Sequence, residues 1–571
     1  KPALMRLVLA PYDCFTPKGE PLLSPSQTKL SNQMTTAYVE MTPPEECVIS
    51  RVLESRAATH PSHPFMVAQG RTFTYGELNA SANQVAHGLR ALGVERGDRV
   101  AVLMESSAQY LDVWFAIAKL GAVEIPVNIA YKGEILRHIL ASSGTTTIVC
   151  DAQFSEIVRA VVNECPTVSR CVVRGAPADL IAPVTVALDD VYAPATGNLD
   201  IEVSYTDLGC IMFTSGTTGV SKGVMINHHL LWSYGVNYAE IVRMTEADNS
   251  YNYLPFFHVA GKFVLMAAML VNARMVLVPR LSVSDFWRDV RAHGATLMVA
   301  VGGVCHMLYS QTPMSDDADN PLRMIYAVPV PAEFQSQFES RFDLVFVEGY
   351  GSTEMNIVAC SQPGSSPPGS FGRALQSYEI DIFDERDMPC PANVPGEIVV
   401  RPKRPHTIME GYYGLPEKSL EVMRNLWLHS GDQGYRDENG WFFFLDRLTD
   451  SMRRRGENIS SFEVERLINQ HDGISEAAAV AVRSQLQEDE VKVVAVRNPD
   501  TVLTEESLLR YCVEVMPYFM VPRYIEFCDE LPRTALTKVR KVELRAAGVT
   551  DTTWDCEAHG WRVTRNGLVE I

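Results

Sequence analysis

The stretch TSGTTGVSKG, residues 214–223, follows the apolar run Cys210-Ile211-Met212-Phe213, which reads as the end of a strand. Glycines at 216, 219 and 223 leave backbone N–H groups open to approach, because glycine has no side chain to shield them. Such N–H groups, with hydroxyl donors from Thr214, Ser215, Thr217, Thr218 and Ser221, form a concave nest for anions. Lys222 adds a point charge, and the combination suits a polyphosphate. Gly219 and Lys222 are not adjacent and no Ser or Thr follows the lysine, so this is not a Walker loop. The GxGxxG spacing of a dinucleotide fold is absent from it too.

Outward from this loop the chain alternates. Arg99 to Met104 reads as a strand, and Ala108 to Leu120 carries Leu111, Trp114, Phe115 and Ala118 at helical spacing, with Gly121 as terminator. Val123 to Val127 is strand-like, Glu134 to Leu140 helical, and Thr147 to Cys150 a strand. The alternation resumes from Leu208 to Glu348. Strands alternating with helices predict an α/β fold, a mostly parallel sheet covered by helices on both faces. Ligands of such sheets sit beyond the carboxyl ends of strands, where the 214–223 loop falls. From about Phe371 the texture turns β-rich, with strands at Glu379–Phe383, Glu397–Arg401 and Trp441–Leu445. After Asp446 come Arg453-Arg454-Arg455 and a helix from Ser461 to Asn469. The expected organisation is an extension at 1–46, a large N-terminal domain at 47–446 and a C-terminal domain at 447–571. Within the large domain, about 371–446 is expected to form a small β-rich subdomain.

A length of 571 residues exceeds what one hydrophobic core supports. The net charge of −19 argues against nucleic acid as a partner, which needs a basic face. The 12 cysteines show no CxxC pair or regular spacing, so we expect reduced thiols in a cytoplasmic protein, with neither a disulfide framework nor a zinc site. Phe263 to Val271 is the longest apolar run and is too short for a membrane helix.

An ordered set of further motifs resembles the adenylate-forming enzymes, the family of acyl- and aryl-CoA ligases, luciferases and adenylation domains. The set runs from about residue 50 to 545. It comprises Phe73-Thr74-Tyr75-Gly76-Glu77-Leu78, Leu120-Gly121-Ala122-Val123 with Pro126, and Leu254-Pro255-Phe256-Phe257-His258. It continues with Tyr350-Gly351-Ser352-Thr353-Glu354, Ser430-Gly431-Asp432, and Asp446-Arg447 with Gly456-Glu457-Asn458, and ends at Pro532-Arg533-Thr534 followed by Lys538. The RRGEN segment and Val328-Pro329-Val330-Pro331 look most like the carnitine/crotonobetaine-type CoA ligase branch. The resemblance implies helix-covered, mostly parallel sheets with a small β-barrel subdomain, plus a small mobile α+β C-terminal domain.

The implied reaction is an ATP-dependent ligation in two halves. A carboxylate attacks the α-phosphate of ATP and expels pyrophosphate; the thiol of coenzyme A then attacks the acyl-adenylate and expels AMP. Bringing two anions together makes charge neutralisation the main problem, so positioning and electrostatics dominate. By resemblance, Thr214, Ser215, Gly216, Thr217, Thr218, Gly219 and Lys222 would hold the β- and γ-phosphates, within a nucleotide site completed by Tyr350, Gly351 and Ser352. Glu354 would bind Mg²⁺ through a hard oxygen and Thr353 would donate to the α-phosphate. Asp432, with Arg447 beside it, would accept from the ribose hydroxyls. Lys538, on the other domain, would reach the α-phosphate and the attacking carboxylate. Here Thr537 replaces the glycine the family commonly has before that lysine, and Thr449 replaces the usual hinge Asp or Lys. Rotation about the hinge would withdraw Lys538 and bring Gly456 to the thiol tunnel, with His258 as the gate between acyl site and tunnel. Arg453, Arg454 and Arg455 either meet coenzyme A phosphates or form a solvated basic face.

The acyl pocket is expected among Phe257, Val259, Ala260, Gly261, Val301 and Gly302, and also Gly303, Val328, Pro329 and Met355 to Val358. This mostly apolar set suits a medium-sized apolar or aromatic acid. Lys262 either points inward to pair with a second acidic group on the substrate or pairs with a protein carboxylate. The expected partner is a small-molecule carboxylic acid, without integral membrane association, and a homodimer is allowed. The competing reading keeps adenylation and changes the acceptor to a carrier-protein thiol, an amine or another small nucleophile such as nitrite.

Overall fold

The structure is a computed structural model that describes residues 42–175, 181–214, 221–330, 334–447, 451–484, 488–498, 501–532 and 539–571. Runs rich in β-branched residues form its central strands, as the parallel-sheet pattern requires. Arg99–Leu103, Val123–Pro126, Thr147–Asp151, Arg170–Arg174 and Val184–Ala187 pair in parallel within a seven-stranded sheet. Leu208–Thr214 continues this sheet in parallel beside Val123–Pro126, and Lys222–Asn227 closes its edge antiparallel. Thr214 stands opposite Lys222 in that register, so the two ends of the glycine-rich loop are held together.

A 13-stranded sheet forms the second layer. Its parallel part includes Asn249–Asn252, Leu297–Val301, Met324–Val328 and Val345–Ser352. Antiparallel strands such as Ser370–Ala374, Tyr378–Phe383, Gly396–Pro402, Leu428–Arg436 and Phe442–Arg447 run on from Val345–Ser352 in the same hydrogen-bonded array. Helices fill the space between the layers. His228–Ile241 and Val259–Val271 approach so closely that a Cβ on Gly235 would stand 2.6 Å from the Cβ of Met266. The second helix is buried along most of its length, and no helix among the described residues is long and apolar enough to cross a membrane. All eleven described cysteines are free thiols, Cys14 lying outside the described residues.

Past residue 450 the chain builds separate sheets. The hairpin Ser451–Arg454/Glu457–Ser460 leads into the helix Ser461–Ile468, which Ser460 caps by accepting from Glu463 N–H. A four-stranded sheet follows, ordered Ile474–Arg483, Asp489–Arg497, Tyr524–Cys528, Trp554–Asp555. A last hairpin pairs Trp561–Thr564 with Gly567–Glu570. The expected domain boundary at 446–450 falls where residues 448–450 lie outside the described residues.

Lys262 does not enter the acyl pocket. It sits in the first turn of Val259–Val271, and its Nζ lies 2.7 Å and 2.9 Å from the two oxygens of Glu124, with both side chains essentially inaccessible. Tyr110 donates to the same carboxylate at 2.7 Å, and the Trp114 ring lies 4.1 Å from Nζ. Removing one partner of such a buried pair leaves the other charge uncompensated, a cost of about 3–5 kcal/mol. Lys262→Met is therefore expected to lower the unfolding free energy by that amount while leaving the ranking of mono- and dicarboxylic acids unchanged. A changed ranking in a normally stable variant would contradict this placement.

Candidate active site

Between the two sheets and the C-terminal domain lies a cavity of about 1600 Å³. At one end it receives Thr214 and Lys222 from the base of the glycine-rich loop; Ser215, Gly216, Thr217, Thr218 and Gly219 lie outside the described residues. The Lys222 Nζ lies 4.8 Å from the centre of the Tyr412 ring. Burial lowers its pKa, and the nearby Glu354 carboxylate opposes that shift.

The end of strand Val345–Ser352 delivers the second group. Gly351, Ser352, Thr353 and Glu354 line the cavity. Glu354 Oε2 accepts from Ser352 Oγ at 2.9 Å, and its Oε1 accepts from Tyr412 at 3.3 Å and Thr214 at 3.4 Å. Tyr234 donates to the carbonyls of Ser352 and Thr353, both at 2.9 Å, and so fixes this turn from beneath. Among the described residues no cluster of three or more His, Cys, Asp or Glu gathers here. One carboxylate beside a polyphosphate end still fits Mg²⁺, which keeps several waters and takes one or two carboxylates plus substrate phosphates.

Strand Leu428–Arg436 supplies Asp432 on the cavity wall. Tyr350 donates to Asp432 Oδ2 at 2.8 Å, and its ring stacks on Phe371 at 4.4 Å. Arg447 stands opposite Asp432 in the antiparallel register. Lys538 lies outside the described residues.

The apolar section receives Phe257, Val259, Ala260, Val301, Gly303 and Val328 as expected. Gly261, Gly302, Pro329 and Met355 are not among its lining residues. A Cβ on Gly261 would meet the Pro255 carbonyl at 2.6 Å, so this glycine serves a close helix–loop contact instead of opening space. Met355 is buried in the core, and its neighbours Asn356 and Ile357 line the wall. Sequence reasoning missed Tyr253, which also lines this section. Its hydroxyl is buried and finds no hydrogen-bond partner among the described residues, although the Val301 backbone stands near it. A tyrosine just past a strand end was the available signal.

The C-terminal hairpin closes the cavity mouth. Gly456 lies on the lining, 3.7 Å from Val301 when measured from an idealised Cβ. Next to it, Glu457 Oε2 lies 2.9 Å from His258 Nε2, and Oε1 accepts from Asn128 at 3.3 Å. Burial works to lower the His258 pKa, but the Glu457 carboxylate outweighs it and holds the ring above the ordinary histidine range. The arginine run divides. Arg454 is buried, its Nε 2.7 Å from Glu490 and its guanidinium donating to the carbonyls of Phe519 and Val521. Arg453 and Arg455 face the cavity. The basic face expected of three arginines is thus limited to two.

The C-terminal helix makes a further contact beside the glycine-rich loop. Glu463 Oε1 accepts from Ser221 N–H at 3.0 Å. Burial pushes this carboxyl up to about 7, against the pull of the Ser221 N–H and Arg466.

A family model for AMP-binding enzymes matches residues 53–413, and one for the AMP-binding enzyme C-terminal domain matches 463–538. The chain belongs to the AMP-binding enzyme family. A crotonobetaine/carnitine–CoA ligase of Salmonella arizonae is 31% identical over 83% of this chain and 93% of its own length. One from Escherichia coli O7:K1 is 32% identical over the same shares. Among solved structures, a double mutant of Bacillus subtilis o-succinylbenzoate-CoA synthetase bound with a CoA product analogue matches with a TM-score of 0.77 at 25% identity, covering 87% of this chain and 98% of that one. The same synthetase in complex with AMP matches at 0.63 over 88% and 99%. This AMP-binding enzyme is an ATP-dependent, AMP-forming acyl-CoA ligase.

The raised Glu463 carboxyl gives the docking contact a pH dependence. Its contribution is fully present below the ordinary carboxyl value of 4.5 and is lost as pH rises through about 7. Glu463→Gln keeps an acceptor for Ser221 and removes the titration. The variant is expected to differ little from the parent at pH 5 and to be more stable at pH 8, by up to about 3 kcal/mol. Thermal unfolding at both values checks this; a pH-independent difference contradicts it.

Proposed function

We propose that the cavity runs both half-reactions with the following residues. Thr214 and Lys222 take the leaving pyrophosphate end of ATP, with Ser215 to Gly219 between them. Glu354 would hold Mg²⁺, which supplies charge neutralisation across the phosphates. Thr353 donates to the α-phosphate, and Asp432, oriented by Tyr350, accepts from the ribose hydroxyls beside Arg447. Lys538 approaches the α-phosphate when the C-terminal domain is rotated. The substrate carboxylate oxygen bonds to the α-phosphorus as the bond to the β-phosphate oxygen breaks. In the second half the thiol sulfur bonds to the acyl carbon and AMP leaves.

One observation carries the reading. Lys222, Glu354, Thr353 and Asp432 line the same cavity as His258 and Gly456, so polyphosphate, ribose and thiol groups share one space. The Glu457–His258 contact and the higher similarity to the CoA-product-analogue complex support the present domain arrangement as the thioester-forming one. Pyrophosphate release that requires an acid, followed by a thioester when coenzyme A is added, tests it; an adenylate that never yields a thioester points to another acceptor. Lys538→Ala is expected to slow adenylation about 100- to 1000-fold. It should largely spare thioester formation from a supplied acyl-adenylate, and equal loss of both halves contradicts its role.

We infer that the acid is medium-sized and largely apolar, with one polar acceptor along its length. The walls are Phe257, Val259, Phe263, Val301 and Val328, and the Tyr253 hydroxyl is the donor among them. The neutral phenol, kept so by burial, can donate but not pair with a cation as an anion would. Tyr253→Phe is expected to reduce kcat/KM about tenfold for an acid carrying a distal hydroxyl or carbonyl, and hardly at all for its deoxy analogue. The panel includes trimethylammonium acids, matching the named relatives' substrates; equal losses across the panel contradict the role of Tyr253.

A further inference from the structure

The terminal hairpin Trp561–Thr564/Gly567–Glu570 lies beyond residue 538, where the match to the family's C-terminal domain ends. It is well anchored. Val563 is buried, Trp561 N–H donates to Cys556 at 2.8 Å, and Arg510 lies 4.5 Å from the Trp561 ring. Its turn is set by Thr564, whose hydroxyl donates to the Gly567 carbonyl at 2.9 Å and accepts from Asn566 N–H at 3.2 Å. The turn residues Thr564, Arg565 and Asn566 line the mouth of the active-site cavity.

There the turn meets the hairpin that carries Gly456. Arg565 Nε donates to the Tyr518 hydroxyl at 3.1 Å, and its guanidinium carbon is 5.5 Å from that ring's centre. The Arg455 guanidinium lies 5.8 Å from the same ring and donates weakly to the Val563 carbonyl at 3.4 Å. Among the described residues neither guanidinium has a carboxylate within 4 Å. The nearby Glu488 carboxylate is engaged by Arg455's backbone N–H at 2.9 Å. Two arginines sharing one aromatic ring, on the exposed rim of a cavity in a chain of net charge −19, form a local cationic site that the overall charge does not explain. Planar guanidiniums held in place by a ring bind phosphate oxygens bidentately.

We propose that Arg565, delivered by the terminal hairpin, is a binding residue for the nucleotide phosphates of coenzyme A, acting with Arg455 across Tyr518. This rests on the present arrangement being the thioester-forming one. The pantetheine arm then passes Gly456 and His258 toward the acyl group, while the highly charged nucleotide end stays on the rim.

The test compares two thiols. Arg565→Ala and Arg565→Lys are assayed for thioester formation with coenzyme A and with pantetheine, which lacks the nucleotide. Acid-dependent pyrophosphate release without thiol reports on folding and on the first half-reaction. Arg565→Ala is expected to raise KM for coenzyme A about tenfold at low ionic strength, to leave kcat within about twofold, and to leave KM for pantetheine unchanged. Arg565→Lys should restore part of the loss. An unchanged KM for coenzyme A overturns the proposal, and so does an equal loss with both thiols. If the parent enzyme adenylates acids but makes no thioester with either thiol, the underlying functional reading fails instead.

Discussion

The Glu457 carboxylate meets His258 Nε2 at 2.9 Å and accepts from Asn128 at 3.3 Å. It comes from the C-terminal hairpin; both partners come from the large domain. The contact fixes where Gly456 sits and therefore what can enter the cavity mouth. Burial works to lower the pKa of the His258 ring, and the Glu457 carboxylate outweighs it. The ring's position is thus set by the docked domain.

The other docking contacts follow the same logic. Glu463 reaches the N–H of Ser221, next to Lys222, so the domain in this position is anchored beside the glycine-rich loop. Arg466 pairs with Glu134 at 3.0 Å, and Lys132 donates to the Val513 carbonyl at 2.8 Å. Apolar residues of both domains, Ile211 and Ile459 among them, share one buried cluster. The two domains thus meet through a few named polar contacts and a shared apolar cluster.

Much of this was legible in the sequence because the chemistry forces residue types together. A polyphosphate end needs open backbone N–H groups and a cation, which the run 214–223 displays. Strand and helix periodicity placed Arg99–Leu103, Ala108–Lys119 and Thr147–Asp151 within a residue or two of their observed limits. What escaped were facts of the third dimension. Lys262, four residues after His258, left open whether it enters the pocket or pairs with a protein carboxylate, and only the fold shows its helix turning it toward Glu124. Gly261 reads as open space, yet it admits a carbonyl. Tyr412, which meets both Lys222 and Glu354, lies almost 200 residues from the loop it serves, and no local pattern announces it.

Gly303 shows how closely the two domains are matched. A Cβ there would collide with the Glu488 carboxylate, which the backbone N–H of Arg455 holds from the other side. Gly303 is the second residue of the helix Gly302–Tyr309, so the carboxylate rests near the N-terminal end of a helix, where the backbone dipole favours an anion. The absence of a side chain at this point of the cavity wall leaves room for the Glu488 carboxylate of the C-terminal domain. Cavity shape and domain position thus meet at one residue: a side chain added at 303 would first displace that carboxylate, the far end of a flexible side chain.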